Sequence, residues 1–350
     1  MKYTFTLLIL LSFLLRTEQA QAQDPYFAQF YAAPLQVNPA FTGVFEGEWR
    51  VVANYRQQWN IVLGKNPFST AGASFDMRTQ IGRGDYLSYG INVMHDEVGA
   101  GSLTLDKGYL NLSYMKQLDG GRYRAGDQYL IAGVQGGFGQ MSLDYPALWF
   151  STQFDPIVED VNFNQSSGEN FVDEKSDVYL DLNAGLMWYA VWDDNQSLYV
   201  GGSINHITQP NITFLGNTGN ELDMKWNAQI GGQIPFTREL SLLPAAYVMG
   251  QGPSLLSLFG GNFRYSNRDW REIAIRAGAW GHIGNTVNNV SWNNVVVTTV
   301  LEIERLQIGV SYDVNTGKVS QPTNARGGFE ISLIYTSPSK TRVKTRCPEF

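Results

Sequence analysis

Between Arg305 and Asn315 the chain alternates without a break. Leu306, Ile308, Val310, Tyr312 and Val314 hold one parity, and Arg305, Gln307, Gly309, Ser311, Asp313 and Asn315 hold the other. A side-chain period of two sends these sets to opposite faces of a β-strand. The run has about the length, roughly 9–11 residues, with which a tilted strand crosses a bilayer.

The same pattern recurs along the chain. Trp49, Val51, Ala53 and Tyr55 alternate with Arg50, Val52, Asn54 and Arg56, and Ser69, Ala71, Ala73, Phe75 and Met77 alternate with Thr70, Gly72, Ser74, Asp76 and Arg78. Leu87 to Val93 and Leu110 to Tyr114 follow, then a glycine-rich strand around Tyr129 to Leu143 whose parity the sequence leaves open. Val178, Leu180, Leu182, Ala184, Leu186, Trp188, Ala190 and Trp192 form the longest apolar stripe, opposite Asp181, Asn183 and Gly185. Leu198 to Asn205, Asp223 to Ile234, Leu240 to Gly250 (with Pro244), Leu255 to Tyr265, Ile273 to Ala279 and Trp292 to Leu301 continue the series. With the opening strand and Phe329 to Tyr335, the count is 14, an even number.

The connections choose the architecture. Taken in order, the even connections are mostly tight and charged, such as Gly82-Arg-Gly-Asp85, Asp193-Asp-Asn195, Thr237-Arg-Glu239 and Glu302 to Arg305. The odd ones include Leu143 to Ser176, Thr208 to Glu221, Gly284 to Val290 and Thr316 to Asn324. Short turns on one side and long loops on the other are the signature of an all-β outer-membrane barrel, here of about 14 antiparallel strands. Both termini then lie on the short-turn, periplasmic side. A secreted soluble β-sandwich is the rival fold, but it has no reason to sort its loops, nor to place Trp and Tyr near strand ends where they meet headgroups. Closure is required because bilayer hydrocarbon offers no water to an open strand edge. The polar parity lines the lumen, and its glycines point to close backbone approach or bending.

The ends of the chain divide the remainder. Lys2, the apolar run Leu7 to Leu15 and Ala20-Gln21-Ala22 read as an export signal over residues 1–22, making Gln23 the first mature residue; an uncleaved anchor helix is the alternative. Residues 23–47 hold three prolines and five aromatics between Gln23 and Gly43, too irregular for a ladder. This segment must be buried against something, either the domain's own end as a plug or cap, or a periplasmic partner. The barrel then occupies residues 48–336, and residues 337–350 form a periplasmic tail. No later apolar run approaches the length of a membrane helix. Removing the signal takes away Lys2, Arg16 and Glu18, so the net charge goes from −7 to −8. A mildly acidic chain without basic clusters argues against nucleic acid. Cys347 is the only cysteine, so there is no disulfide framework.

Candidate chemistry is sparse. His95, His206 and His282 stand far apart, without a second ligand at metal spacing. His95-Asp96-Glu97 reads as a solvated strand end. Asp155, Glu159, Asp160, Glu169, Asp173, Glu174 and Asp177 gather in the loop 143–176, but not with EF-hand spacing, and a solvated acidic loop is the simpler reading. No Gly-x-Ser-x-Gly, Walker loop or Cys-x-x-Cys occurs, so neither an enzyme nor a cofactor site is expected. Arg50, Arg56, Asp181, Asp313 and Glu330, with Arg78 and Arg276, are the lumen charges; cross-pairing that seals the bore is preferred to gating of a pore.

The run Asp24-Pro-Tyr-Phe-Ala-Gln-Phe-Tyr31 with Pro34-Leu35 and Asn38-Pro39-Ala40 resembles the start of the PorP/SprF family, membrane proteins of the type IX secretion and gliding-motility systems of Bacteroidetes. Tyr55-Arg-Gln-Gln-Trp59, Pro67-Phe68 with Asp76, Asp96 with Gly99, Ile308-Gly-Val-Ser-Tyr-Asp313, Gly327-Gly-Phe-Glu-Ile-Ser332 and Arg346-Cys-Pro-Glu-Phe350 extend the resemblance over nearly the whole mature chain. Val310 stands where the family usually has tyrosine and Phe329 where it often has histidine, which leaves the subfamily open.

The resemblance implies an outer-membrane barrel that works with a secreted type IX substrate or cell-surface adhesin and with periplasmic lipoproteins of the secretion machinery. Outer-membrane lipids surround it. On that basis the partner-binding candidates are Pro25, Phe27, Phe30, Pro34, Asn38, Pro39 and Phe41 in the N-terminal segment. Trp149 and Phe154 are the candidates in the long loop. A diffusive porin or small-solute transporter is the alternative, for which the same barrel suffices.

Overall fold

The computed structural model describes residues 24–338, apart from 65, 83, 100, 121–125, 169–173, 194–195, 215–220, 268–272, 287–288 and 318–319. The expected signal over 1–22, its cleavage before Gln23, most of the 337–350 tail and Cys347 lie outside the described residues.

Fourteen antiparallel strands close into one barrel. They are β1 (Trp49–Gln58), β2 (Phe68–Ile81), β3 (Asp85–Val98), β4 (Leu103–Asp119), β5 (Asp127–Ser142), β6 (Tyr179–Asp193) and β7 (Gln196–Asn205). β8 (Lys225–Pro235), β9 (Leu240–Gln251), β10 (Ser254–Ser266), β11 (Ile273–Thr286), β12 (Asn289–Ile303), β13 (Leu306–Asn315) and β14 (Arg326–Thr336) follow. Each pairs with its neighbours in sequence, and β1 pairs with β14, from Arg50 opposite Thr336 to Gln58 opposite Gly328, so no edge is left unpaired. Among the described residues no helix is long and apolar enough to cross a membrane. Strands do the crossing.

The outward face carries the large apolar side chains exposed, Leu110 at 70% and Phe138 at 62% among them. In water that surface would be costly; in hydrocarbon it is the matching face. On β13, Val310 and Tyr312 point out while Gly309, Ser311 and Asp313 are buried inside. Arg305 belongs to the turn before β13 and donates to the Ser337 carbonyl at 2.9 Å. At the short-turn rim the Trp49 ring lies 5.5 Å from Tyr335 and 6.2 Å from Phe75, an aromatic cluster at headgroup depth.

β5 has a definite parity: Leu130, Val134 and Phe138 face out, and Tyr129, Ile131, Gly133 and Gln135 face in. The longest connections, 143–178 and 206–224, do share one rim, but that rim is not uniformly looped. Gly284 to Val290 is not a long loop. Pairing continues through Asn285–Val290 and Thr286–Asn289, leaving only residues 287–288 as the link. The link between β9 and β10 is equally short, Gly252-Pro253, with Gly252 at φ +52.

The N-terminal segment corrects a further expectation. β1 starts and β14 ends at the short-turn rim, but residues 24–45 do not stay there as a periplasmic segment. They run through the lumen, and Asp24 sits at the long-loop rim beside Lys107 and Lys225. Three single helical turns, Phe30–Ala32, Pro34–Val37 and Pro39–Phe41, form the middle of this plug. Pro34 and Pro39 open the second and third, where a missing N–H costs nothing. Asn38 caps the third by accepting from the Ala40 N–H at 2.8 Å.

Candidate functional site: the filled lumen

The lumen wall has two characters. An apolar stripe winds from Met115, Ile131, Met187 and Tyr189 near the short turns, past Tyr199, to Tyr247, Met249, Leu256 and Leu258. The plug's aromatics meet this stripe: Phe30 stacks on Tyr247 at 5.4 Å and meets Trp280 edge-on at 5.5 Å, while Tyr31 stacks on Trp280 at 5.2 Å. Phe41 meets Tyr199 edge-on at 5.8 Å. The rest of the wall is polar, which tempers the expectation of a uniformly polar lumen: the inward parity of a barrel need be polar only where water or charge faces it.

Buried ion clusters hold the plug along the polar wall. At the long-loop rim, Asp24 receives Lys107 at 2.9 Å, Lys225 at 2.6 Å and His206 Nε2 at 2.7 Å, and its N–H donates to Gln251 at 2.8 Å. His206 Nδ1 lies 2.7 Å from Asp181, which also accepts from the Tyr109 hydroxyl at 2.6 Å. Burial alone would raise the Asp24 carboxyl, but Lys107, Lys225 and His206 outweigh it and hold it well below the ordinary carboxylate range.

A second cluster joins β1, β13 and β14. Arg56 pairs with Asp313 at 2.6 Å and Glu330 at 3.6 Å, and its guanidinium stacks on the Tyr26 ring at 4.8 Å. Glu330 accepts the main-chain N–H of Ala28 at 2.7 Å and of Gln29 at 3.0 Å. Deeper in, Arg50 forms a bidentate pair with Asp76 at 3.0 and 2.8 Å and donates to the Phe41 and Val44 carbonyls, while Asp76 accepts the Gly43 N–H at 2.8 Å. These charges are desolvated, and each makes several charge-assisted bonds, the condition under which burial of ions is tolerated.

Two wall glycines admit the plug, Gly133 its backbone and Gly185 the Asn38 side chain. A Cβ at Gly185 would lie 1.9 Å from Asn38 Oδ1, and one at Gly133 would lie 2.4 Å from the Pro39 carbonyl carbon. Asn38 Nδ2 in turn donates to the Gly202 carbonyl at 3.0 Å.

The structure thus gathers Arg50, Arg56, Asp181, Asp313 and Glu330 into the lumen, every one paired. It also places Phe27, Phe30, Pro34, Asn38, Pro39 and Phe41 there, buried, with Pro25 half-buried beside them. The contacts that these seven make are inside the barrel, with its wall and with one another. Trp149 and Phe154 stand 55% and 42% exposed on the long loop. His95 faces outward and pairs with Asp106 at 2.7 Å, and His282 is buried 6.1 Å from the Tyr26 ring. Among the described residues no group of three or more His, Cys, Asp or Glu side chains is placed to hold a metal.

Asp24, Lys107, Lys225 and His206 do not stand out in the sequence as a group. The one signal there is Lys107, a lone cation on the inward parity of β4 between Leu105 and Tyr109, which demands a counter-ion.

The family model described as type IX secretion system membrane protein PorP/SprF matches residues 19–335. Among curated proteins, none matches. Among solved structures, the chain is similar to the Ralstonia pickettii toluene transporter TbuX, with 13% identity, 87% of this chain and 92% of that one covered, and a TM-score of 0.47. It is also similar to a Pseudomonas aeruginosa FadL homologue, with 13% identity, coverage of 85% and 92%, and a TM-score of 0.45. The Acinetobacter baumannii outer membrane protein Omp33 is a third, with 8% identity, coverage of 84% and 99%, and a TM-score of 0.38.

Proposed function

The chain belongs to the PorP/SprF family of type IX secretion system membrane proteins, and from that premise we propose that it is a non-enzymatic, sealed outer-membrane scaffold. Its long-loop rim receives or anchors a secreted surface protein, and its short-turn rim meets periplasmic lipoproteins of the secretion machinery. The observation that carries this reading is the filled lumen. Residues 24–45 occupy the bore and are tied to its wall by Asp24, Glu330, Arg56 and Arg50, which supports a scaffold over a diffusive porin.

The long loop supports the same reading. Gln153 pins it internally, accepting from the Phe150 N–H at 3.0 Å and donating to the Gln165 carbonyl at 2.9 Å. The loop so braced keeps Trp149, Phe154 and the 91% exposed Ile157 in water. Large apolar side chains displayed on a braced loop are suited to anchoring a partner.

The test is a full-length protein in which residues 145–174 are replaced by a short glycine-serine linker. β5 and β6 still pair directly through Gly139 and Tyr179, so the barrel is expected to fold. Cells carrying it should lose surface retention of a secreted protein that wild-type cells keep. Full retention of every surface protein by cells with a correctly folded variant would sink the proposal.

A further inference from the structure

The wall grips residues 24–37 largely through their main chain. Glu330 accepts the Ala28 and Gln29 N–H groups, and Arg56 donates to the Tyr26 carbonyl at 3.4 Å. Asn54 donates to the Ala32 carbonyl at 3.2 Å and Gln135 to the Leu35 carbonyl at 3.3 Å. Asn227 and Ser203 donate to the Val37 carbonyl at 2.9 and 3.2 Å. Wall side chains from β1, β5, β7, β8 and β14 therefore read a polypeptide backbone, as a peptide-binding cleft does.

Side-chain selection is confined to a few points, one of them Gln29, whose amide donates to the Ser311 hydroxyl at 3.1 Å and accepts from the Ser332 hydroxyl at 2.9 Å. Lys107, Lys225 and His206 converge on one carboxylate at the rim. The Arg56 guanidinium takes the aromatic ring two residues further on, and Tyr247 with Trp280 takes the ring at position 30. The segment is also unequally held. Asn38, Pro39 and Ala40 are wedged against Gly133 and Gly185, and the chain runs on from them into β1, whereas residue 24 lies at the rim. Its carboxylate is held there chiefly by Lys107 and Lys225, and carboxylate and cations regain water when they part.

We propose that the long-loop half of this lumen is a peptide-binding site, filled in cis by residues 24–37. It accepts in trans another polypeptide segment with a carboxylate at its rim end and aromatic residues two and six positions deeper. This does not depend on the surface-attachment reading, because binding is measured on the isolated barrel.

The experiment uses the full chain with a site-specific protease sequence inserted after Glu46, which is exposed between plug and β1. After cutting in detergent, the probe is a fluorescein-labelled synthetic peptide of residues 24–45. It is expected to exchange into the nicked barrel with a rise in anisotropy, and unlabelled peptide should compete. Peptides carrying Asp24→Lys, or Tyr26→Ser with Phe30→Ser, should compete at least about tenfold less well, given the cost of an unpaired buried charge or lost aromatic contacts. A second nicked barrel whose own plug carries Asp24→Ala should load label faster. No exchange into either barrel, or exchange indifferent to these substitutions, would overturn the proposal. Retention of folded gel mobility after cutting keeps those outcomes apart from simple unfolding.

Discussion

Arg56 joins two wall carboxylates to the plug through one side chain. It is 1% exposed and faces two buried carboxylates, Asp313 and Glu330, with Asn294 also donating to Asp313 at 3.2 Å. Arg56→Met leaves both carboxylates without a cation, and removing one member of a buried ionic group costs about 3–5 kcal/mol. We expect a clear fall in the temperature at which the barrel loses its folded gel mobility, and part of that loss should return with Asp313→Asn in the same chain. Asp24 gives a pH-dependent counterpart. Its carboxyl is held below the ordinary value of 3.8 in the folded protein, so its ionisation contributes fully above that value. The contribution is lost as pH falls through the depressed one. Asp24→Asn should therefore lower stability at pH 7, and the gap to wild type should close in strong acid. A gap that stayed constant with pH would show that the rim cluster does not act through that charge.

At the scale of elements, the plug and the wall strands fit each other through absent side chains as much as present ones. Gly133 on β5 stands where the Pro39–Ala40 backbone passes, and Gly185 on β6 where the capping side chain of Asn38 lies. Gly185→Val should expel this part of the plug, because neither the capped turn nor the closed ladder has room to give. The expected readout is new protease cleavage between residues 30 and 45 in a barrel that keeps its folded mobility. Gly108, on the outward face, is the control. A methyl group there would meet only Val93, at 3.9 Å, so alanine should be tolerated. Strands such as β6 and β13 were readable in the sequence because they turn an uninterrupted apolar parity to lipid. The glycines of β5 hid its parity, since a residue without a side chain declares no face. The pairing past Asn285 and Val290 was hidden for another reason: Asn and Ser there resemble a loop until the partner strand is seen.

For the whole molecule, a closed wall and a filled bore make a prediction about transport. In planar bilayers the wild-type barrel should be silent, without stable large conductance. The same barrel bearing Gly185→Val, or nicked after Glu46 and stripped of its peptide, should conduct. A large, steady conductance from the intact wild-type protein would instead favour the diffusive porin. The path of the plug also means that Asp24 is reached from the long-loop rim, although β1 begins at the opposite one.

Periodicity and loop lengths by themselves determined the all-β class, the count of strands, the lipid-facing stripes and the sorting of the longest loops to one rim. Those follow from local rules, the two-residue period and the need to satisfy every backbone group in hydrocarbon. The motifs at the two ends pointed to the family. Where residues 24–45 go was decided only by the tertiary structure, and so was the pairing of Asp24 with Lys107, Lys225 and His206, partners 83, 201 and 182 positions away. Contacts of that separation leave no periodic trace. A proline- and aromatic-rich segment announces that it must be buried, but only the closed barrel supplies the surface that buries it.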